Sequence, residues 1–251
     1  MNAETDIVVR DCISLEDFQQ CVAVQKTVWG FEDRDLIPVR FFVVAHKIEG
    51  QVIGAFDPGG SLAGFALAVP ALRGSQVYIH SHMAAVLDKY RGQGLGRRMK
   101  LEQRRNALQR GIGLIEWTFD PLELGNAYFN LERLGAIARR YVVNQYGISS
   151  SPLHRGLPTD RLVAEWWLES PRVVARVEGE SPPECTVRRR LSVPLAVAEA
   201  GREEQRKKVQ LELRRAFQDA FSQGLAAVGV SISGAAGEYL LGPPPDHEGK
   251  K

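Results

Sequence analysis

The sequence predicts an α/β (α+β) chain built around a mixed central sheet. Three observations carry that prediction. Strand-like runs alternate with amphipathic helical runs as far as Tyr146. Residues 77 to 110 read as strand, tight glycine turn and helix. Glycine and proline punctuate the changes of period, at Pro38, Gly50, Gly111, Pro121 and Gly135.

Taken in order, Ile7-Val8-Val9-Arg10 is the first strand. Ser14 is an N-cap with Asp17 three residues on, and a helix follows to about Val28. Trp29 to Asp35 is a loop. Pro38 suits the first turn of a second helix, Val39 to Ile48, stopped by Gly50. Gln51 to Phe56 and Ser61 to Val69 form a hairpin across Asp57-Pro58-Gly59-Gly60. The strand from Val77 to Val86 leads through the glycine turn into a helix from about Arg97. Leu95, Met99, Leu101 and Leu108 are expected near one side of that helix, and Gly111 ends it. Gly113 to Phe119 is a fifth strand, broken at Asp120-Pro121 because proline cannot donate to a ladder. A short helix over Asn126 to Arg133 is closed by Gly135, and Arg140 to Tyr146 is a sixth strand.

Beyond Ile148 the text changes. Ser149-Ser150-Ser151-Pro152 is a turn, and Ala164 to Leu168 reads as a strand. A loop covers Glu178 to Glu184. A helix from Ala198 to Gln223 carries Val209, Leu213, Phe217 and Phe221 at four-residue spacing, and a hairpin pairs Val228 to Ile232 with Glu238 to Leu241. That stripe is too apolar for a free surface helix. It must be covered by the sheet of the same chain or by a second copy in a homodimer. The expected organisation is a core over 1–147, an extension over 148–241 packed on it, and a disordered tail over 242–251.

The 251 residues are 44% hydrophobic and 25% charged, the balance of a globular protein. A net charge of +2 argues against a nucleic-acid binder. Cys12, Cys21 and Cys185 have no metal-ligand spacing and an odd count, so neither a zinc site nor a disulfide framework is indicated; Cys12 and Cys21 read as buried thiols. The start of the chain is polar and acidic and no run suggests a membrane span, so a cytoplasmic location is expected.

Glycines between a strand and a helix let backbone N–H groups approach an anion and tolerate positive φ. The helix start adds unpaired donors and the positive end of the dipole. Arg91, Arg97, Arg98 and Lys100 are expected to surround the turn with positive charge, and the reading is a pyrophosphate cradle. The Walker A form fails because the turn ends Gly96-Arg97-Arg98. The dinucleotide fingerprint fails because Arg97 stands where its third glycine belongs.

What fits is Arg-x-x-Gly-x-Gly on Arg91, Gly94 and Gly96. This resembles the acyl-CoA-binding motif of the GNAT N-acyltransferases, and the order strand, two helices, hairpin, glycine-loop strand resembles the first half of that fold. His80-Ser81-His82-Met83, Trp117 to Leu122, Ala127 to Leu131, Leu134-Gly135-Ala136 and Pro158 to Arg161 are similar to a bacterial subfamily of GNAT acetyltransferases over roughly residues 7 to 240. The resemblance implies a GNAT fold whose sheet splays between its fourth and fifth strands, with the pantetheine arm of acetyl-CoA or another acyl-CoA in the gap. It implies acyl-CoA contacts from Ala84, Ala85, Val86, Arg91, Gly92, Gln93, Gly94, Leu95, Gly96, Arg97, Asn126 and Asn130.

The expected activity is transfer of an acyl group to a primary amine of a small molecule such as an amino acid. The alternatives are a non-catalytic acyl-CoA-binding module and a protein N-acetyltransferase. His80 and His82 share a strand face and titrate near neutrality, so they are the first candidates for the base. Glu116 is the second, with a rival role as partner to Arg139 or Arg140. Many relatives place a thiolate-protonating tyrosine where this chain has Leu131, and Tyr128 stands one turn earlier. Arg161 is a carboxylate holder or a partner of Asp160. No metal is expected.

Overall fold

The computed structural model describes residues 6–154, 156–199 and 201–246. The chain forms two compact units, Met1–Ile115 with Ser149–Leu153, and Glu116–Ile148 with His154–Lys251. The boundary at residue 147 read from the sequence falls inside the second unit's first stretch.

The first unit begins with β1 (Val8–Asp11) and α1 (Leu15–Trp29). The expected cap is present as a full capping box: Asp17 N–H donates to Ser14 Oγ, and Asp17 returns a carboxylate oxygen to the Ser14 N–H. The Arg10 guanidinium beside Asp17 holds that carboxyl at about 2. A 3-10 turn over Asp33–Asp35 leads to α2 (Val39–Lys47). The helix is capped by Ile48, and Glu49 beyond it stands at φ 62, ahead of Gly50. Gly50 is required for a different reason: a Cβ there would lie 2.5 Å from the Ala45 carbonyl oxygen.

β2 (Gln51–Phe56), β3 (Leu62–Arg73) and β4 (Gln76–Val86) follow, each antiparallel to the strand before it, with β2 also pairing β1. β2 is buried at every position because both sheet faces are covered. On one face Phe65 and Leu67 pack with Phe18, Cys21 and Val24 of α1 and Phe42 and Ala45 of α2. On the other, Ile53, Ala63 and Ala66 pack with Leu95 and Met99 of α3 (Leu95–Gln109). Cys12 and Cys21 are buried thiols, as the sequence suggests. The buried stripe of α3 differs from expectation. It is Leu95, Met99, Gln103 and Ala107, while Leu101 and Leu108 are half-buried.

β5 (Leu114–Phe119) carries the chain into the second unit. α4 (Leu124–Tyr128) passes into a π turn over Phe129–Arg133, so the short helix starts two residues earlier than expected and changes pitch halfway. β6 is Ile137–Val142 rather than 140–146. Asn144 at φ 49 turns the chain away, its N–H held by Asp160 Oδ1 at 3.0 Å. β7 (Arg161–Trp167) starts three residues before the expected strand and pairs with β6. α5 (Pro171–Glu178) and β8 (Arg189–Pro194) are additional elements, α5 capped by Ser170 with proline at its first position. α6 is Glu203–Ser222, shorter at its start than expected because Leu195–Ala198 is a separate 3-10 turn.

β9 (Ala226–Ser233) and β10 (Ala236–Gly242) form the expected hairpin. β9 pairs with β6 and β10 with β8. Val209, Leu213 and Phe217 of α6 are buried and Phe221 is half-buried; Phe217 stacks on Tyr141 of β6 at 5.8 Å and meets Tyr239 edge-on at 5.0 Å. Of the tail, residues 247–251 lie outside the described residues.

Candidate functional site

The glycine turn is built from β4 onward. After Val86 a 3-10 turn spans Asp88–Tyr90, and Tyr90 donates its hydroxyl to Asp57 Oδ2 at 2.7 Å, fixing the turn against the β2–β3 connection. Gly92 stands at φ 77 and Gly94 at φ 72, and a Cβ at either would meet nothing within 4 Å. These glycines are therefore demanded by backbone conformation, and the volume beside them is open. Gly96 is helical, the second residue of α3. No side chain caps the start of α3.

The cations divide. Arg91 is exposed, paired with Asp88 at 3.0 Å. Arg97 is half-buried and Gln93 exposed. Arg98 instead donates to the Ile7 carbonyl oxygen at 2.6 Å. Lys100 is a correction. It is buried, donates to Ser81 Oγ at 2.7 Å, and burial presses its amine down to about 7, so it does not belong to the ring of charge at the turn. The helical period explains the difference, since Lys100 sits beside Met99 on the sheet-facing side.

β4 carries a feature the sequence reading missed. Leu67 of β3 faces Met83 and Ala68 faces Ser81, so His82 is the extra residue of a β-bulge. Before the bulge Ser81 points toward α3, where its hydroxyl meets Gln103 Oε1 at 3.1 Å. After it, Met83 and Ala85 join the core on the α1–α2 side. Ala84 is exposed and Val86 half-buried. The His80 and His82 rings lie 5.9 Å apart, and burial lowers the pKa of His82, favouring the neutral imidazole.

In the second unit Glu116 is buried and accepts from Arg140 Nη2 at 2.6 Å, the arginine pairing weighed from the sequence. Asn130 is buried in the π turn, and its amide oxygen accepts from Trp117 Nε1 at 3.2 Å. Asn126 is exposed, Tyr128 is 43% exposed, and Leu131 is fully buried. Arg161 is a partner of Asp160 through the Asp160 backbone rather than its carboxylate. It is buried, donates to the Asp160 carbonyl oxygen at 2.9 Å and lies 4.0 Å from Asp120. The Asp160 carboxylate accepts instead from Tyr141, Arg214 and the Asn144 N–H. The reason is geometric: α6 delivers Arg214 to the side of β7 that the Asp160 side chain occupies.

No protein-family model and no curated protein matches the chain. Solved structures do. A protein from Acinetobacter baylyi ADP1 described as an acetyltransferase superposes with a TM-score of 0.53 at 18% identity, over 68% of this chain and 97% of that one. An acetyltransferase of the GNAT family from Streptococcus pneumoniae gives 0.51 at 16%, over 64% and 98%. Arabidopsis thaliana NAA60 in complex with acetyl-CoA gives 0.53 at 14%, over 64% and 99%. The chain therefore has the fold of the GNAT acetyltransferases. Among the described residues, no helix is long and apolar enough to cross a membrane.

Proposed function

We propose that the protein is an acyl-CoA-dependent N-acyltransferase, with acetyl-CoA as the first candidate donor and a primary amine of a small molecule, such as an amino acid, as acceptor. The observation that carries this reading is the turn at Gly92 and Gly94. Its two positive-φ glycines leave open space beside an uncapped helix start, on the fold of the acetyltransferases. The N–H groups of Leu95, Gly96 and Arg97 suit a pyrophosphate, with Arg91, Gln93 and Arg97 around it. Backbone of Ala84, Ala85 and Val86 suits the amide-rich arm of the donor, and Asn126 is open to further hydrogen bonds.

The donor supplies an activated thioester. The chain must accept a proton from the attacking amine, stabilise charge on the carbonyl oxygen and return a proton to the thiolate. His82 is assigned as base, because burial keeps its imidazole neutral and a bulge aims it differently from its neighbours. His80 shares its strand segment and supports it. The bulge also takes one N–H out of the β3 ladder, a donor of the kind that polarises a carbonyl. Glu116, bound to Arg140, is assigned as an orienting carboxylate. Tyr128, with its side chain open, is assigned as the acid.

Titration calorimetry with CoA, followed by thiol release from acetyl-CoA over a panel of primary amines, tests this reading. Binding with turnover on an amine is expected. Binding without turnover on any amine would leave an acyl-CoA-binding module, and no binding would remove the cradle assignment.

A further inference from the structure

β6 carries its own irregularity, and it bears on what the protein recognises. Ala138 faces Ala164 of β7 and Arg140 faces Val163, so Arg139 is the extra residue of a second bulge. In a regular strand, consecutive side chains point to opposite faces. Here both guanidiniums reach the same carboxylate. Arg139 donates to Glu165 Oε2 through Nε at 3.1 Å and Nη2 at 2.5 Å, and Arg140 Nε lies 3.5 Å from Glu165 Oε1. Arg140 Nη2 also holds Glu116.

The two carboxylates are buried, each with 4% of its side chain exposed, whereas Arg139 and Arg140 keep 38% and 41%. The tetrad uses Nε and Nη2 of each arginine and leaves both Nη1 groups outside it. Trp167, two residues along β7, donates its indole N–H to Glu165 at 3.3 Å. Thr118, two along β5 from Glu116, shares a hydrogen bond with the Tyr146 hydroxyl at 3.0 Å. The arrangement is two guanidiniums locked by buried anions, aimed the same way by a bulge, and flanked by an aromatic ring and hydroxyls.

We propose that Arg139 and Arg140 form a binding site for the carboxylate of a small molecule. Each Nη1 carries two N–H donors suited to a carboxylate oxygen, and the rotamer freedom of both side chains is already spent in the tetrad. Because the tetrad is neutral overall, an incoming carboxylate is recognised by the direction of the outward N–H groups rather than by net charge. Resting on the N-acyltransferase reading, that carboxylate belongs to the amine acceptor, which makes the acceptor class amino acids rather than simple amines.

The test has two arms. In the first, N-acetylglycine and N-acetylglycinamide are titrated into the full chain by calorimetry. N-acetylglycine is expected to bind roughly ten- to a hundredfold more tightly, the range of a charge-assisted bond. Arg139→Lys and Arg140→Lys, which keep the charge and lose the Nη1 donors, are expected to bring that ratio close to one while the thermal transition stays cooperative. Equal affinity for the two compounds, or a ratio that survives both substitutions, overturns the site. In the second arm, thiol release from acetyl-CoA is compared for glycine and glycinamide. A preference for glycine that falls in the lysine variants supports the acceptor class. Turnover without that preference overturns the acceptor class. Carboxylate binding without turnover on any amine leaves the site standing and removes the acyltransferase reading instead.

Discussion

In the first unit every strand after β1 pairs with its predecessor in the sheet, β1–β2–β3–β4, all antiparallel. The second unit is assembled differently. β6 is held by β7 on one side and β9 on the other, and β8 joins through β10 although β9 lies between them in the chain. The first arrangement closes short loops and can form locally. The second needs contacts between segments far apart in sequence, each of which costs loop-closure entropy before it contributes. A change near residue 230 is therefore felt at β6, whereas the α1–β3 packing depends on nearby chain.

The sharpest way to break this contrast is truncation after Tyr146. Both neighbours of β6 and the helix over Tyr141 would go, leaving buried apolar surface uncovered. An insoluble or molten product without a cooperative transition by circular dichroism is expected. A soluble, cooperatively unfolding fragment would make the C-terminal segment an appendage.

Next in size is Gly94→Val, which tests a site in the first unit made of backbone and empty space. A β-branched residue at φ 72 is strained and fills the open volume. CoA affinity should fall by roughly a hundredfold or more by calorimetry, with the melting transition still cooperative. His82→Ala should lower turnover by about a hundredfold with little change in CoA affinity. Burial lowers the His82 pKa, so the base form persists to lower pH; the acid limb of the rate profile should lie below the ordinary histidine value near 6.5.

The smallest effect sharpens the local character of the first unit. Ser14→Ala removes the cap hydrogen bond to Asp17 and should cost about 1 kcal/mol in denaturant unfolding. Asp17 adds a pH dependence whose sign follows from its depressed pKa. The stabilisation is present above the ordinary carboxylate value near 4 and is lost as pH falls through about 2. A flat stability profile over that window would show that Arg10 contributes nothing to it.

The same contrast governs what could be read from the residues. Ser14, Pro38, the Asp57–Gly60 turn and the glycine loop are local signals, and the elements they mark lie within a few residues of expectation. α5 is also locally marked, by Ser170 at its cap and Pro171 at its first position, although no element is expected there from the sequence. β8 carries no comparable signal: its Arg188-Arg189-Arg190 run reads as surface, and it becomes a strand only because β10 pairs with it. At the site, Gly92 and Gly94 were legible because positive φ selects for glycine. The bulges at His82 and Arg139 were not, because a bulge is a mismatch between two strands and neither strand shows it alone. The Arg139-Arg140 doublet left no trace of its own, because the expected strand begins at Arg140 and only the structure carries β6 back to Ile137.

The His82 bulge also separates the length of β4 from the facing of its side chains. Ser81 serves the α3 side and Met83 and Ala85 the α1–α2 side, so the strand runs in two phases joined at one surplus residue. Most point substitutions leave that phase alone. Removing His82 itself would leave Ser81 opposite Ala68 and Met83 opposite Leu67 in ordinary alternation, so the ladder closes and both pairs, Ile79 with Ser81 and Met83 with Ala85, keep their faces. A frame-preserving loss of the His82 codon should therefore keep the packing of β4 on both sides while removing the one side chain that the bulge presents.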